Sequence, residues 1–473
     1  MANNEQTNQA LPSACKYLEQ LESGELSSLE LVKQTLDRIH AVDDKLNAVV
    51  AENTEQTLAQ AKQADEKRAR GESLPLLGLP ITIKDSIDVE GFICTGGSFA
   101  RENYKPKDST VAARLRAAGA ILIAKTNCPE YSSSYETENA IFGRTNHPAN
   151  LEHTPGGSTG GEGALLGADA TLVGIGLDGG GSIRVPSHYC GIVGIRPTVG
   201  RVPDTGSWPE TRDTGYRDLM CIGPMARYVE DLSLILPIIS GPDWKDAYAV
   251  PAPLGNPNDI DLGSLNVAYY DYDGTIEVSD ETKLAVETAV KALEKGGASI
   301  TKVTPPDVSD ATMVFFSMAG ADGGTRTRRD LEGCNGRHHE QFQALLNGFG
   351  DPFSLEDFFD MQGRFLEFRA MMRQFISEYD VIICPVTTGP APKHMTPPVG
   401  VAQEEYLQYA AFNYVHAYAV AGVPVAVVPC GEQSGLPLGV QIVSQAFQEH
   451  VALSAAAHIE ATVGGFFPSR QGL

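Results

Sequence analysis

Apolar residues recur along this chain with two alternating periods. From Ser27 to Asn47, Leu29, Leu31, Val32, Leu36, Ile39 and Val42 fall at helical spacing, with Ser27 or Ser28 as the N-cap. A second helix is predicted over 54–70. From Leu79 to Val89 the period shortens to alternation around Ile81, Ile83 and Ile87, which reads as a buried strand and its exit. STVAARLRAAG followed by AILIAK spells helix, glycine stop and strand. A short helix is predicted over 160–168, and ATLVGIGLD is a strand. LNVAYYD, SDETKLAVETAVKALEKGG and ASITKVTPP give strand, helix and strand, with Val286, Val290 and Leu293 on the helix's apolar face. YDVIICP, VPVAVVP and LGVQIVS are three further strands, followed by a helix over 448–462.

Strands alternating with helices predict an α/β layered fold. No internal repeat or linker marks a boundary, so residues 1–473 are expected to form a single domain. Residues 1–14 are polar and expected to be flexible. The less regular stretches 205–220 and 307–370 are expected to shape a pocket.

Composition narrows the function classes. The formal net charge is −24, a field that repels nucleic-acid phosphates and anionic membranes and argues against both as partners. The eight cysteines are scattered without a CxxC pair, so neither a zinc site nor a disulfide framework is expected. They read as reduced thiols of a cytoplasmic protein. The N-terminal residues lack the basic and apolar regions of a secretory signal. YAVAGVPVAVVPC, the most apolar long stretch, is too short and proline-interrupted to span a bilayer, so no membrane anchor is expected.

The chemistry concentrates between Thr154 and Pro197. Ser158 and Ser182 each sit among glycines, 24 residues apart. Glycine lets backbone N–H groups converge on one point, so a serine there can be a nucleophile beside an oxyanion hole. Upstream, Lys84 interrupts the apolar run LPITIKDSIDV, where desolvation would ease loss of its proton. Two serines and one lysine are the parts of a serine hydrolase that needs no histidine. Asp178 and Arg184 flank the second loop and are expected to pair and hold it. Asp85 is expected to face away from Lys84, since adjacent strand residues point to opposite faces.

Three other motifs are weaker. GGSTG at 156–160 matches G-x-S-x-G, which would make Ser158 the nucleophile and require a downstream Asp and His. The available His458 falls in a predicted helix, and no HGGG-type motif precedes the serine. GIGLDG contains G-x-G-x-x-G, but its glycines lead to Ser182 and Ile183 rather than into a clear helix, and no acid stands near position 200. GRHHEQ at 336–341 lacks HExxH spacing and reads as a solvated polar turn. No metal or cofactor is expected.

The chain resembles the amidase signature hydrolases over nearly its whole length. The resemblance rests on GGSTGGEGALLG and GLDGGGSIRVPSHYCGIVGIRPTVGRV. LPLLGLPITIKDSIDVEG, AKTNCPEYSSSYETENAIFGRTNHP and VPVAVVPCGEQSGLPLGVQIVS support it. It implies a large mixed β-sheet covered on both sides by helices. It also implies Ser182 as nucleophile, Ser158 as a bridging serine after a cis peptide bond, and Lys84 as general base. The N–H groups of Gly179, Gly180, Gly181 and Ser182 would form the oxyanion hole. Tyr131, Ser132, Ser133, Ser134 and Tyr135 would line the substrate pocket, where small hydroxyl residues suggest a roomy or polar site. The family's GGSSGG is here GGSTGG, so Thr159 keeps the second hydroxyl in a supporting place.

The continuation GEGALLG looks like stand-alone bacterial amidases of the aryl-acylamidase or urethane-cleaving kind rather than a tRNA-dependent amidotransferase subunit. The implied substrate is a small amide, anilide or carbamate. Fatty-acid amides and cyclic or linear ω-amino-acid amides remain alternatives, as does an amidotransferase subunit or a non-catalytic binding protein.

Overall fold

The computed structural model describes residues 10–211, 214–334, 336–402, 410–466 and 468. In chain order the strands are β1 (Val49–Glu52), β2 (Pro80–Lys84), β3 (Ile121–Thr126), the small pair β4 (Glu138–Asn139) and β5 (Gly143–Arg144), β6 (Val173–Asp178), β7 (Val193–Arg196), β8 (Cys221–Ala226), β9 (Asn266–Tyr269), β10 (Ser299–Lys302), β11 (Val381–Pro385), β12 (Val425–Gln433) and β13 (Leu436–Val443). All but β4 and β5 join one 11-stranded sheet in the order β1-β3-β2-β6-β8-β7-β12-β13-β11-β9-β10. The sheet is mixed. β2 runs parallel to β3 and β6, and β9 runs parallel to β11 and β10, while the remaining neighbours are antiparallel.

The flanking helices are α1 (Ala14–Ser23), α2 (Ser28–Leu46), α3 (Thr54–Ala69), α4 (Thr110–Ala117), α5 (Gly160–Gly167), α6 (Arg184–Cys190), α7 (Val229–Ile239), α8 (Asp280–Lys295), α9 (Ala311–Ala319), α10 (Thr325–Asp330), α11 (Glu340–Gly348), α12 (Leu355–Ser377), α13 (Asn413–Ala421) and α14 (Glu449–Val463).

The period of two decides what each face of the sheet meets. Ile81, Ile83, Val173, Ile175, Leu177, Ala426 and Val428 enter the largest core with α7, α8 and α14. The intervening residues face the other way, towards α5, α6 and α13. There Gly174 lies against Glu162, and Val427 packs on Val185 and Tyr189. Thr82 and Lys84 are on this second face, buried at the end of β2. The large mixed sheet between helices is the architecture that the resemblance implies.

Local signals hold where they are strong. Ser27 caps α2, and its hydroxyl and backbone N–H exchange hydrogen bonds with Glu30. The expected flexibility of 1–14 needs correction over residues 10–14. Leu11 N–H donates to Asp169, Arg227 grips the Leu11 and Pro12 carbonyls, and Asp231 accepts the N–H groups of Ala14 and Cys15 at the start of α1. These partners lie more than 150 residues away, so a local polar window gave no sign of them. Residues 1–9 lie outside the described residues. The glycines after β6 lead to a turn at Ser182 and Ile183, as read, and a short helix, α6, follows at Arg184, which that reading did not foresee. The turn before α11 is also not solvated as expected, because His338 and His339 are largely covered and pair with Glu130 and Glu138. The stretch 307–370 is mostly helical, carrying α9, α10, α11 and much of α12.

Candidate active site

Three chain segments converge at the end of the sheet. β2 delivers Lys84, the turn before α5 delivers Ser158, and the turn between β6 and α6 delivers Ser182. Lys84 Nζ donates to Ser158 Oγ at 2.6 Å. The peptide Gly157–Ser158 is cis. Ser158 and Ser182 border the same cavity. Ser158 is buried, whereas Ser182 is partly open to it. Full burial pushes the Lys84 pKa down to about 8. Asp85 faces away, and its Oδ2 accepts from Thr95 N–H, Thr95 Oγ1 and Gly96 N–H at 2.6–2.9 Å.

The turn that carries Ser182 is wound around one carboxylate. Asp178, at the end of β6, accepts from Gly181 N–H at 2.8 Å and Ile183 N–H at 3.0 Å. Arg184 grips both of its oxygens, at 3.0 Å through Nη2 and 3.1 Å through Nε. Both side chains are fully buried. Burial alone would raise the Asp178 pKa, but Arg184, Arg196 and the Gly181 N–H drive it well below the usual carboxylate range. Arg184 also reaches Val415 O and Gln441 Oε1, each at 2.9 Å, which ties the turn to α13 and β13. Gly181 has φ +118°, a backbone conformation that side chains avoid. Thr159 stands beneath, its N–H donating to Ser182 O at 3.2 Å and its hydroxyl to Leu177 O at 3.4 Å.

The oxyanion-hole expectation changes at one position. Gly181 N–H is already committed to Asp178 and does not border the cavity, whereas Gly179, Gly180 and Ser182 do. A second brace holds the other side of the turn. Tyr135 donates its hydroxyl to Gly180 O, and His416 Nε2 lies 2.8 Å from the same hydroxyl. Tyr135 stacks on Phe412 with ring centres 3.6 Å apart. His416 Nδ1 meets Thr312 Oγ1 at 2.9 Å, and burial beside Arg184 pushes its pKa down to about 3.

Ser132, Ser133, Ser134 and Tyr135 line the cavity, but Tyr131 does not. Its ring is buried between Trp208 and Phe342, and its hydroxyl donates to Asp330 at 3.0 Å. Of the expected roomy or polar site, the serines line the cavity but the room is small. The space at Ser182 is about 50 Å³, and Leu177, Tyr216, Met220, Phe315 and Phe316 close it. Phe316 separates it from a cavity of about 720 Å³ that includes Met313, Leu345, Phe349 and Phe353. Tyr216 separates it from another of about 590 Å³ that includes Arg217, Asp322 and Arg326. The walls come from α9 and the turn before β8, which bulk composition could not place.

A family model described as "Amidase" matches residues 30–453. The chain belongs to the amidase signature family. A glutamyl-tRNA(Gln) amidotransferase subunit from Roseiflexus castenholzii is 34% identical over 466 residues, covering 92% of each chain. The indoleacetamide hydrolase of Bradyrhizobium diazoefficiens is 32% identical over 450 residues, covering 94% of this chain and 85% of that one. A solved structure described as a vestigial complex revealing the origins of an s-triazine catabolic enzyme superposes with a TM-score of 0.87. Its chain is 28% identical, with 97% of this chain and all of that one covered.

Amide hydrolysis is the chemistry of this amidase signature chain at the coarse level. Sequence reasoning missed His416, Phe315 and Phe316. They sit in apolar helical runs, where nothing marks a pocket residue from a core residue. His458, the histidine that an α/β-hydrolase reading would need, instead meets Ala292 O on α8. Among the described residues no helix is long and apolar enough to cross a membrane.

Proposed function

We propose that the chain, acting as one domain, hydrolyses small amides, anilides or aryl carbamates through an acyl-enzyme on Ser182. The observation that carries this reading is the 2.6 Å contact of Lys84 with Ser158 at the cavity that Ser182 borders. Neutral Lys84 takes a proton from Ser158 as Ser158 takes one from Ser182. The Ser182 oxygen attacks the carbonyl carbon. The tetrahedral oxyanion is received by N–H groups of Gly179, Gly180 and Ser182, each such donor contributing roughly 2.7–4 kcal/mol. Ser158 gives its proton to the leaving amine and is reprotonated by Lys84, which is neutral again. Water then attacks the acyl carbon as its proton passes through Ser158 to Lys84, and the proton returns through Ser158 to the departing Ser182 oxygen. Nothing in these steps calls on a metal or cofactor.

The narrow aromatic enclosure of Tyr216, Phe315 and Phe316 suits a flat group beside the scissile bond, and the hydroxyls of Ser132–Ser134 suit a polar one. The indoleacetamide hydrolase among the relatives supports an aryl-bearing amide. Free thiols at all eight cysteines are in keeping with a cytoplasmic location. A second reading, membership of an amidotransferase complex, is favoured by the 34% identity to the Roseiflexus protein. The net charge of −24 opposes it, since a tRNA partner favours a basic surface.

The deciding experiment is hydrolysis of primary aryl amides, anilides, aryl carbamates and esters by the purified chain alone. Turnover of at least one C–N substrate is expected. Inactivity of the isolated chain, with glutaminase activity appearing only beside partner subunits, would replace this reading with the second.

A further inference from the structure

Away from Ser182, two groupings among the described residues bring three metal-ligating atoms within 4.8 Å of one another. The first, Cys15–Glu230–Asp231, lies at the surface, with Cys15 only half-buried and Glu230 exposed. The second joins Glu130, Cys334 and His338. We propose that Glu130, Cys334 and His338 form a binding site for a divalent transition-metal ion of the zinc type.

Glu130 and Cys334 are each 1% exposed, and His338 is half-buried. His338 Nδ1 lies 2.9 Å from Glu130 Oε1. Ser98 Oγ donates to the same oxygen at 2.9 Å and lies 3.6 Å from Cys334 Sγ. His339 N–H donates to the other carboxylate oxygen at 3.2 Å. A sulfur, an imidazole nitrogen and a carboxylate oxygen are the donors zinc prefers, while the sulfur disfavours calcium and magnesium. Zinc bonds of about 2.0–2.3 Å place neighbouring ligand atoms roughly 3–4 Å apart, so a small closure of the cluster brings all three into range.

Charge gives an independent reason. Glu130 is a buried carboxylate with no lysine or arginine ion pair among the described residues; it meets His338, and its charge also reaches His339 and Cys334. Such a group is costly unless a cation accompanies it. A divalent ion bound to the Glu130 carboxylate, the Cys334 thiolate and neutral His338 makes a neutral cluster, and binding releases the thiol proton to solvent. The ion would fasten the turn before α11 to the segment carrying Ser132–Ser134, a wall of the Ser182 cavity, without touching the reacting atoms.

The test uses the full chain, stripped with EDTA and titrated with Co²⁺ and then Zn²⁺. One equivalent of Co²⁺ is expected to give intense visible bands of tetrahedral geometry and a near-ultraviolet thiolate-to-cobalt band, both displaced by Zn²⁺. Cys334→Ser should lose the thiolate band. His338→Gln should weaken binding by at least the roughly 10–100-fold that losing an outer partner of a ligand costs. Amide hydrolysis by each variant reports that it has folded, and Glu130→Gln serves if Cys334→Ser does not fold. Absence of the thiolate band in the parent chain, its persistence in Cys334→Ser, or unchanged affinity in His338→Gln would overturn the proposal.

Discussion

Replacing Lys84 separates the relay from every other source of catalysis. Burial places its pKa at about 8, against an ordinary 10.5. At pH 7 about one lysine in ten is then neutral, where about one in three thousand would be at the ordinary value. Hydrolysis at pH 7 therefore draws on about one-tenth of the molecules, and kcat/KM should rise about 10-fold towards pH 9–10 with an inflection near 8. Lys84→Ala removes the acceptor for both proton transfers. The expected loss is about 10²–10⁴-fold, or roughly 2.7–5.4 kcal/mol of transition-state stabilisation, and the inflection should vanish. Lys84→Arg should not restore activity, because a guanidinium stays protonated.

Stability supplies the folding control. A lysine whose folded pKa is depressed costs stability below that pKa, and the cost disappears as pH rises from about 8 to 10.5. The 2.5-unit difference corresponds to about 3 kcal/mol. Lys84→Met should accordingly be inactive yet no less stable than the parent at pH 7, as read by chemical denaturation. The assay is kcat/KM for an anilide from pH 7 to 10, on parent and variants. Near-parental hydrolysis by Lys84→Ala across that range would remove the lysine from the mechanism.

Ser182→Ala should abolish turnover, and a fluorophosphonate probe should label Ser182 in the parent. Stoichiometric labelling of Ser158, located by peptide mass spectrometry, would instead favour a nucleophile-elbow arrangement. Asp178→Asn leaves the buried Arg184 guanidinium without its anion and should cost about 3–5 kcal/mol in denaturant unfolding. A loss under 1 kcal/mol would show that Asp178 does not anchor the turn. Tyr135→Phe deletes the hydroxyl that holds Gly180 O, a bond worth about 0.5–1.5 kcal/mol. It should lower kcat up to about 10-fold with little change in KM, whereas an unchanged kcat would mean the turn holds itself. Burial pushes the Glu162 carboxyl up to about 7 despite hydrogen bonds from Thr82 and Thr126. A raised carboxyl contributes stability that is lost as pH rises through the folded value. Glu162→Gln should flatten the decline in stability between about pH 4.5 and 7, and an unaltered slope would exclude Glu162 as its source.

Legibility followed the range of the interactions. Helices α2, α3, α8 and α14 and strands β2, β3, β6 and β11 were readable because their periodicity, caps and stops are local. Strands β7 and β8 and helix α6 were not. Helix α6 and β7 follow the glycine turn in a run buried from Ile183 to Arg196, and β8 is buried along its whole length, so no polar face supplies a period. α1 was missed because its first turn depends on Asp231, more than 200 residues away. For 307–370 loops and helices were expected, but the bounds of α9 to α12 were not legible in it.

The sequence by itself determined the family, the alternation of strands and helices, and the identities of Lys84, Ser158 and Ser182. Each rests on short-range pattern: glycine where a turn needs it, and one lysine inside an apolar strand. Only the tertiary structure decided which N–H groups of the Ser182 turn are bound within the fold. Asp178 claims that of Gly181, and that choice depends on Arg184 reaching α13 and β13. Only the fold, too, made the pocket narrow and aromatic rather than roomy, by bringing α9 against the turn. It also set Glu130 beside Cys334 and His338, some 200 residues apart in the chain. Charge balance and cavity shape are sums over many segments, so no window of sequence contains them.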